Sequence, residues 1–246
     1  MSRYDFGAHR MFVEGPLARG ASVACTPPQT NHLRNVLRLK LGGEILVFNG
    51  RDGEWRAEIT GGSKRSAELG VRGQVRPQEP GPDIDYLFAP LKRARLDYLV
   101  EKATEMGVAR IRPVITRRTA PERVNLERMR ANVVGAAEQC GILRVPEVCA
   151  PERLERVLAG WDPSRAMVFC DEDAEPADPV PALAPLRRKP VAVFVGPEGG
   201  FDPAERDLLQ KLPLVVRLSL GPRILRADTA AVAALALVNA VAGDWR

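Results

Sequence analysis

The sequence has little to offer a metal ion. It carries four cysteines and two histidines in 246 residues, and Cys25, Cys140, Cys149 and Cys170 never fall in a CxxC pair, so no zinc site is expected. Long apolar runs are also missing. The longest, residues 230–242, contains Asn239 and is too short to span a bilayer. The opening residues MSRYDFGAHR lack the apolar segment of a secretory signal. These absences predict a cytoplasmic protein with free thiols, no membrane contact and no metal. What remains, 45% apolar and 27% charged residues, is ordinary for a globular chain and excludes a mainly disordered one.

Lysine is scarce, six against thirty arginines, and the net charge of +5 is unevenly spread. Residues 1–73 hold 11 basic against 7 acidic side chains; residues 74–246 hold 25 against 24. A positive excess in the first third is the footprint of a polyanion-binding module. An arginine-rich composition would leave the same imprint.

The segment QVRPQEPGPD at 74–83, with three prolines and a glycine, reads as an extended linker between two domains. Before it, Glu44-Ile45-Leu46-Val47-Phe48 and Glu54-Trp55-Arg56-Ala57-Glu58-Ile59 flank Asn-Gly and Asp-Gly, the chemistry of a β-hairpin. Residues 30–41 place Leu33, Val36, Leu37 and Leu41 at helical spacing. Domain 1–73 is therefore expected to be a small β-barrel with one basic amphipathic helix. Arg34 and Arg38, four residues apart, would share a face of that helix. With His32 and Lys40 they are the candidate nucleic-acid contacts, and Arg10 is a further one. A solvated helix face is the alternative.

After the linker, apolar strands alternate with helical segments. Strands are expected at 84–89, 111–115, 166–170, 191–195 and 214–218. Helices are expected at 91–106, 126–140, 203–211 and 228–241. Domain 84–246 is thus an α/β domain with a parallel sheet, and residues 171–185 read as a solvated loop.

Ligands of open α/β sheets collect at the carboxyl ends of strands. Two loops there stand out: Gly196-Pro197-Glu198-Gly199-Gly200 after VAVFV, and Gly221-Pro222-Arg223-Ile224-Leu225-Arg226 after the 214–218 strand. Neither matches GxGxxG or GxxxxGK[ST], and Glu198 would repel a phosphate, so NAD and nucleoside triphosphates fit poorly. A ligand with adenosine and positive charge but no phosphate, such as S-adenosylmethionine, fits better.

GPEGG after an apolar strand, followed by LSLGPRILRADTA opening an Ala-rich helix, resembles the RsmE family of 16S ribosomal RNA (uridine-N3) methyltransferases, of the SPOUT superfamily. NHLRNVLRLKLGGEILVFNG resembles that family's PUA-like RNA-binding barrel, and EKATEMGVARIRPV and AAEQCGILRVPEV resemble its middle segments. Two positions depart from the pattern. Ile142 stands where Arg is usual, with Arg144 two residues on, and Asp228 stands where Glu is frequent.

The resemblance implies a SPOUT-type parallel sheet closed by a deep trefoil knot, and a homodimer with each active site at the subunit interface. It implies S-adenosylmethionine held by Gly196, Pro197, Glu198 and Gly199, by Leu218, Leu220 and Gly221, and by Ile224 and Leu225. The reaction implied is methylation of a uridine N3 in 16S rRNA, within an assembled 30S subunit. Arg226, Glu198 and Arg223 are the candidate catalytic residues. Either a general base removes the N3 proton or cationic donors stabilise the imidate; the sequence leaves both routes open. Two other functions share these features: methylation of a ribose 2′-hydroxyl, and RNA binding without catalysis.

Overall fold

The computed structural model describes residues 7–63, 65–120, 123–175 and 177–245. The chain forms two compact units, residues 1–80 with 137–145, and residues 81–136 with 146–246.

The first unit contains β1 (Arg10–Phe12), β2 (Ser22–Ala24), α1 (Pro27–Asn31), β3 (Glu44–Phe48), β4 (Glu54–Gly62) and β5 (Ala67–Arg76). These strands form one sheet in the order β1-β3-β4-β5-β2. The expected hairpin is present, with Phe48 opposite Glu54. Its turn needs glycine: Gly53 has φ +83° and a Cβ there would stand 2.4 Å from the Arg76 carbonyl. Alternate strand residues Ile45, Val47, Ala57, Ile59, Leu69 and Val71 turn inward and meet Leu33 in the core.

Two boundaries differ from the sequence reading. β5 continues to Arg76, three residues into the expected linker, because its alternation with β4 keeps pairing out to Glu54. Residues 137–145, at the end of a helix of the other unit, belong here. Glu138 accepts the Phe12 N–H at 2.8 Å, and Arg76 donates to the Gly141 carbonyl at 3.0 Å.

The amphipathic helix at 30–41 does not form. α1 begins at a capping box between Thr26 and Gln29 and ends at Asn31, and residues 32–36 widen into a π-turn. The Leu37 N–H reaches back to the His32 carbonyl, and Arg38 takes a left-handed φ of +56°. Only Leu33 of the apolar stripe is fully buried, while Val36 and Leu41 are 60% and 74% exposed. Arg34 and Arg38 therefore do not share a helix face.

The second unit contains β6 (Ile84–Phe88), α2 (Arg93–Glu105), β7 (Arg110–Ile115), α3 (Leu126–Cys140, whose last residues join the first unit), β8 (Glu147–Val148), β9 (Glu152–Arg153), α4 (Leu154–Ala159), β10 (Ala166–Cys170), α5 (Pro179–Leu183), β11 (Val191–Val195), α6 (Pro203–Gln210), β12 (Val215–Leu218) and α7 (Ala227–Val241). Among the described residues every strand pairing of this sheet is parallel, in the order β12-β10-β11-β6-β7-β8, with β9 beside β7. Leu87, Met167, Phe169, Ala192 and Phe194 face α4 and α6 in one buried cluster. α7 packs against α2 and β11, and Asn239 anchors it by donating to the Met106 carbonyl at 2.8 Å. Cover on both faces is why VAVFV needs no polar residue.

The segment read as a solvated loop, 171–185, is only partly so. Asp171 is buried, Asp178 caps α5, and Leu183 enters the core. α7 starts one residue before the expected 228, with Arg226 as its N-cap residue and Asp228 inside its first turn. Among the described residues no helix is long and apolar enough to cross a membrane.

Candidate functional site

β10 lies between β11 and β12, and its last residue Cys170 pairs with both Val195 and Leu218. The two glycine loops that follow β11 and β12 therefore leave the sheet on either side of one strand, about 10 Å apart at two strand spacings. Val195 and Leu218 are buried and Cys170 between them is half-buried. The Cys170 thiol is pushed up to about 12, first by burial and then by the neighbouring Asp171 carboxylate. On β6, two strands from β10, Tyr86 stacks on Phe88 with ring centres 5.4 Å apart, and its hydroxyl has no hydrogen-bond partner among the described residues. Burial holds that phenol well above its ordinary range.

Each loop has its own reason for glycine. A Cβ on Gly196 would meet the Phe201 ring at 2.8 Å, and Phe201 is wholly buried against Phe169 and Phe194. Gly200 has φ +69°, and a Cβ there would strike the Glu172 carboxylate. In the second loop Gly221 has φ +91° with open space around it. The backbone groups of Leu220, Gly221, Ile224 and Leu225 make no backbone hydrogen bond among the described residues. They are available to a ligand, and such groups suit a cofactor recognised by main chain rather than by side chains.

The three candidate catalytic residues differ in their surroundings. Arg226 and Arg223 are exposed and form no ion pair among the described residues. Glu198 is exposed but engaged: its carboxylate pairs with the Arg95 guanidinium, from the first turn of α2. Ile224 is fully exposed, and Leu225 partly so.

Several charged groups at this end of the sheet went unremarked in the sequence. Arg118 donates to the Gly199 carbonyl at 2.8 Å. Asp171 forms ion pairs with Arg206 at 3.1 Å and Arg217 at 2.8 Å, and Arg206 also pairs with Glu172 and Asp173. Those two guanidiniums offset the three adjacent carboxylates. Arg118 and the three carboxylates follow the carboxyl ends of β7 and β10, so the strand-end rule applied to every strand would have reached them.

In the first unit the candidate RNA contacts separate. His32, Arg38 and Lys40 are exposed or partly so, and Arg34 is half-buried with Nη2 3.4 Å from the Gly61 carbonyl. Arg10 is a correction. It is 7% exposed; its Nε meets Glu54 at 2.9 Å and its Nη1 meets the Ala8 carbonyl at 2.9 Å. Glu54, itself 1% exposed, is held from the other side by Arg76 at 2.8 Å. Met11 and Val13 enter the core, so alternation turns Arg10 to the opposite face of β1, where it is buried against the Glu54 carboxylate.

Comparison with known proteins agrees with this layout. A family model described as RNA methyltransferase domain matches residues 77–239, and one described as RNA methyltransferase PUA domain matches residues 26–71. The chain is 31% identical to ribosomal RNA small subunit methyltransferase E of Synechocystis, over 95% of this chain and 78% of that protein. It is 28% identical to the protein of the same name from Rickettsia conorii, over 94% and 95%. The crystal structure of ribosomal RNA small subunit methyltransferase E from Neisseria gonorrhoeae bound to S-adenosylmethionine superposes with a TM-score of 0.86. It is 27% identical and covers 97% of this chain and all of that one.

Proposed function

The chain belongs to the RsmE family of RNA methyltransferases, and from that premise we propose that it transfers a methyl group from S-adenosylmethionine to N3 of a uridine in 16S rRNA. The observation that carries this reading is the pair of loops flanking β10, with glycines that admit close approach and backbone groups left unpaired.

S-adenosylmethionine supplies an electrophilic methyl carbon. Gly196, Pro197, Glu198 and Gly199 would hold it on one side, and Leu218, Leu220, Gly221, Ile224 and Leu225 on the other. In the reaction the uridine N3 lone pair forms the N–CH3 bond, the S–CH3 bond breaks, and the N3 proton leaves. S-adenosylhomocysteine, 3-methyluridine and a proton are the products. Of the two routes left open by the sequence, the pairing of Glu198 with Arg95 favours charge stabilisation over a general base. Arg226, a cation at the N-cap of α7, would offset the charge developing on the uracil, with Arg223 nearby in sequence.

The substrate is an assembled 30S particle, met in the cytoplasm, with His32, Arg34, Arg38 and Lys40 contacting rRNA phosphates. The active unit is a homodimer. Along α7 the residues Val232, Ala233, Ala236, Leu237 and Ala240 retain exposure without one charged side chain among them, an apolar face that a second copy would cover. The strand order, in which β12 lies beside β10 rather than β11, supports a knotted path for the C-terminal segment.

Incubation with labelled S-adenosylmethionine and either 30S or 50S subunits from a strain lacking this methylation tests the reading. Label in 30S rRNA alone supports it, and label in neither particle, with active controls, refutes it.

A further inference from the structure

Two arginines outside the glycine loops grip the first of them from different elements. Arg95 reaches the Glu198 carboxylate from α2, and Arg118 reaches the Gly199 carbonyl from the turn after β7. Their anchors are firm. The turn at 116–119 is closed by hydrogen bonds from the Thr116 N–H to the Thr119 hydroxyl at 2.9 Å and from the Thr119 N–H to the Thr116 carbonyl at 3.1 Å. It is docked on the start of α6. The Arg117 N–H donates to Glu205 at 2.8 Å and its guanidinium to Asp202 at 2.9 Å. Those two acids are the capping box of α6, and Glu205 is 1% exposed. Arg118 thus projects from a frame fixed to the far end of the loop it holds.

Arg95 is conspicuous for another reason. α2 opens with Lys92 as an uncapped N-cap residue and has no acidic residue in its first turn. Cations there oppose the helix dipole, so helix stability gives no account of Arg95. Glu198 does, because it brings the missing negative charge from the loop. Exposed pairs of this kind add little to stability; their effect is on where the loop sits.

We infer that Arg95 and Arg118 are positioning residues of the methyl-transfer site, acting through Glu198 and the Gly199 carbonyl to hold residues 196–200 in the form that receives S-adenosylmethionine. This rests on the functional reading above. Neither arginine needs to touch the cofactor or the uridine.

The experiment is a double-mutant cycle, with cofactor affinity measured by calorimetry and kcat and KM measured on 30S subunits. Arg95→Ala and Glu198→Gln are each expected to weaken S-adenosylmethionine binding about tenfold, with an unchanged melting temperature. The double variant is expected to be no weaker than either single one, and Arg95→Lys to recover most of the affinity. Arg118→Ala is expected to weaken cofactor binding independently. An unchanged cofactor affinity in both Arg95→Ala and Arg118→Ala overturns the inference. So does additivity of Arg95→Ala with Glu198→Gln, with the loss confined to KM for 30S subunits, which would make Arg95 an RNA contact. A wild-type protein that fails to bind S-adenosylmethionine overturns the functional reading itself, a result distinct from either.

Discussion

Gly196 and Phe201 are in contact across the turn that follows β11: a Cβ added at residue 196 would lie 2.8 Å from the phenyl ring. The ring cannot retreat, since it is wholly buried and meets Phe194 and Phe169 edge-on at 4.9 and 5.8 Å between centres. A side chain at 196 must therefore displace the loop. Gly196→Ala is expected to lower S-adenosylmethionine affinity at least tenfold while costing about 1–3 kcal/mol of stability, the range for overpacking. Calorimetric titration and denaturant unfolding measure the two effects separately.

Arg10, Glu54 and Arg76 form a buried network in the first unit. Removing the carboxylate takes from both guanidiniums the charge partner they share, so Glu54→Ala is expected to cost about 3–5 kcal/mol. Arg10→Ala is expected to cost less, because Arg76 still holds Glu54 through two hydrogen bonds. Urea unfolding of both variants gives the order. A neutral Arg10→Ala that instead lowered affinity for 30S subunits would restore the RNA-contact reading from the sequence.

Glu138 carries a pH dependence. Burial pushes its carboxyl up; the Phe12 N–H and the nearby His32 pull it partly back. A carboxyl raised in the folded state favours folding while protonated, and that contribution is lost as pH rises from the unfolded value through the folded one. Glu138→Gln keeps an acceptor for Phe12 and removes the buried charge. It is expected to raise the melting temperature at pH 7 and to leave it unchanged at the acidic limit, where the carboxyl is neutral in both folded and unfolded chains. Thermal scans across that interval check the sign.

Arg38 and Lys40 project from the irregular turn beside exposed Val36 and Leu41. Reversing both charges, Arg38→Glu with Lys40→Glu, is expected to weaken 30S binding and to flatten its dependence on salt by roughly one counterion for each phosphate that is no longer neutralised. Filter binding at several salt concentrations measures the slope.

Strands were the most legible part of the fold. VAVFV and AMVFC stand where their apolar runs placed them, since strands covered on both faces leave no pattern to misread. Helix α3 matches its expected bounds, 126–140. The π-turn at 32–36 was hidden because apolar residues at helical spacing do not distinguish an α-turn from a wider one. The two-residue strands β8 and β9 are too short to show any alternation. At the site, both glycine loops were legible as strand-end loops. Their arginine partners were not: Arg95 and Glu198 are 103 residues apart, Arg118 and Gly199 are 81 apart, and only the strand order brings them to one end of the sheet. Arg10 misled because a positive charge in a basic segment reads as surface until the buried carboxylate beside it is known.

The most direct test of the account is the identity of the methylated nucleoside. 30S subunits from a strain lacking the modification would be treated with this protein and labelled S-adenosylmethionine, and the rRNA digested and resolved by mass spectrometry. The account expects the label in 3-methyluridine. Label in a ribose-methylated nucleoside would preserve the fold and the cofactor but contradict uridine N3 as the acceptor, and with it the role assigned to Arg226.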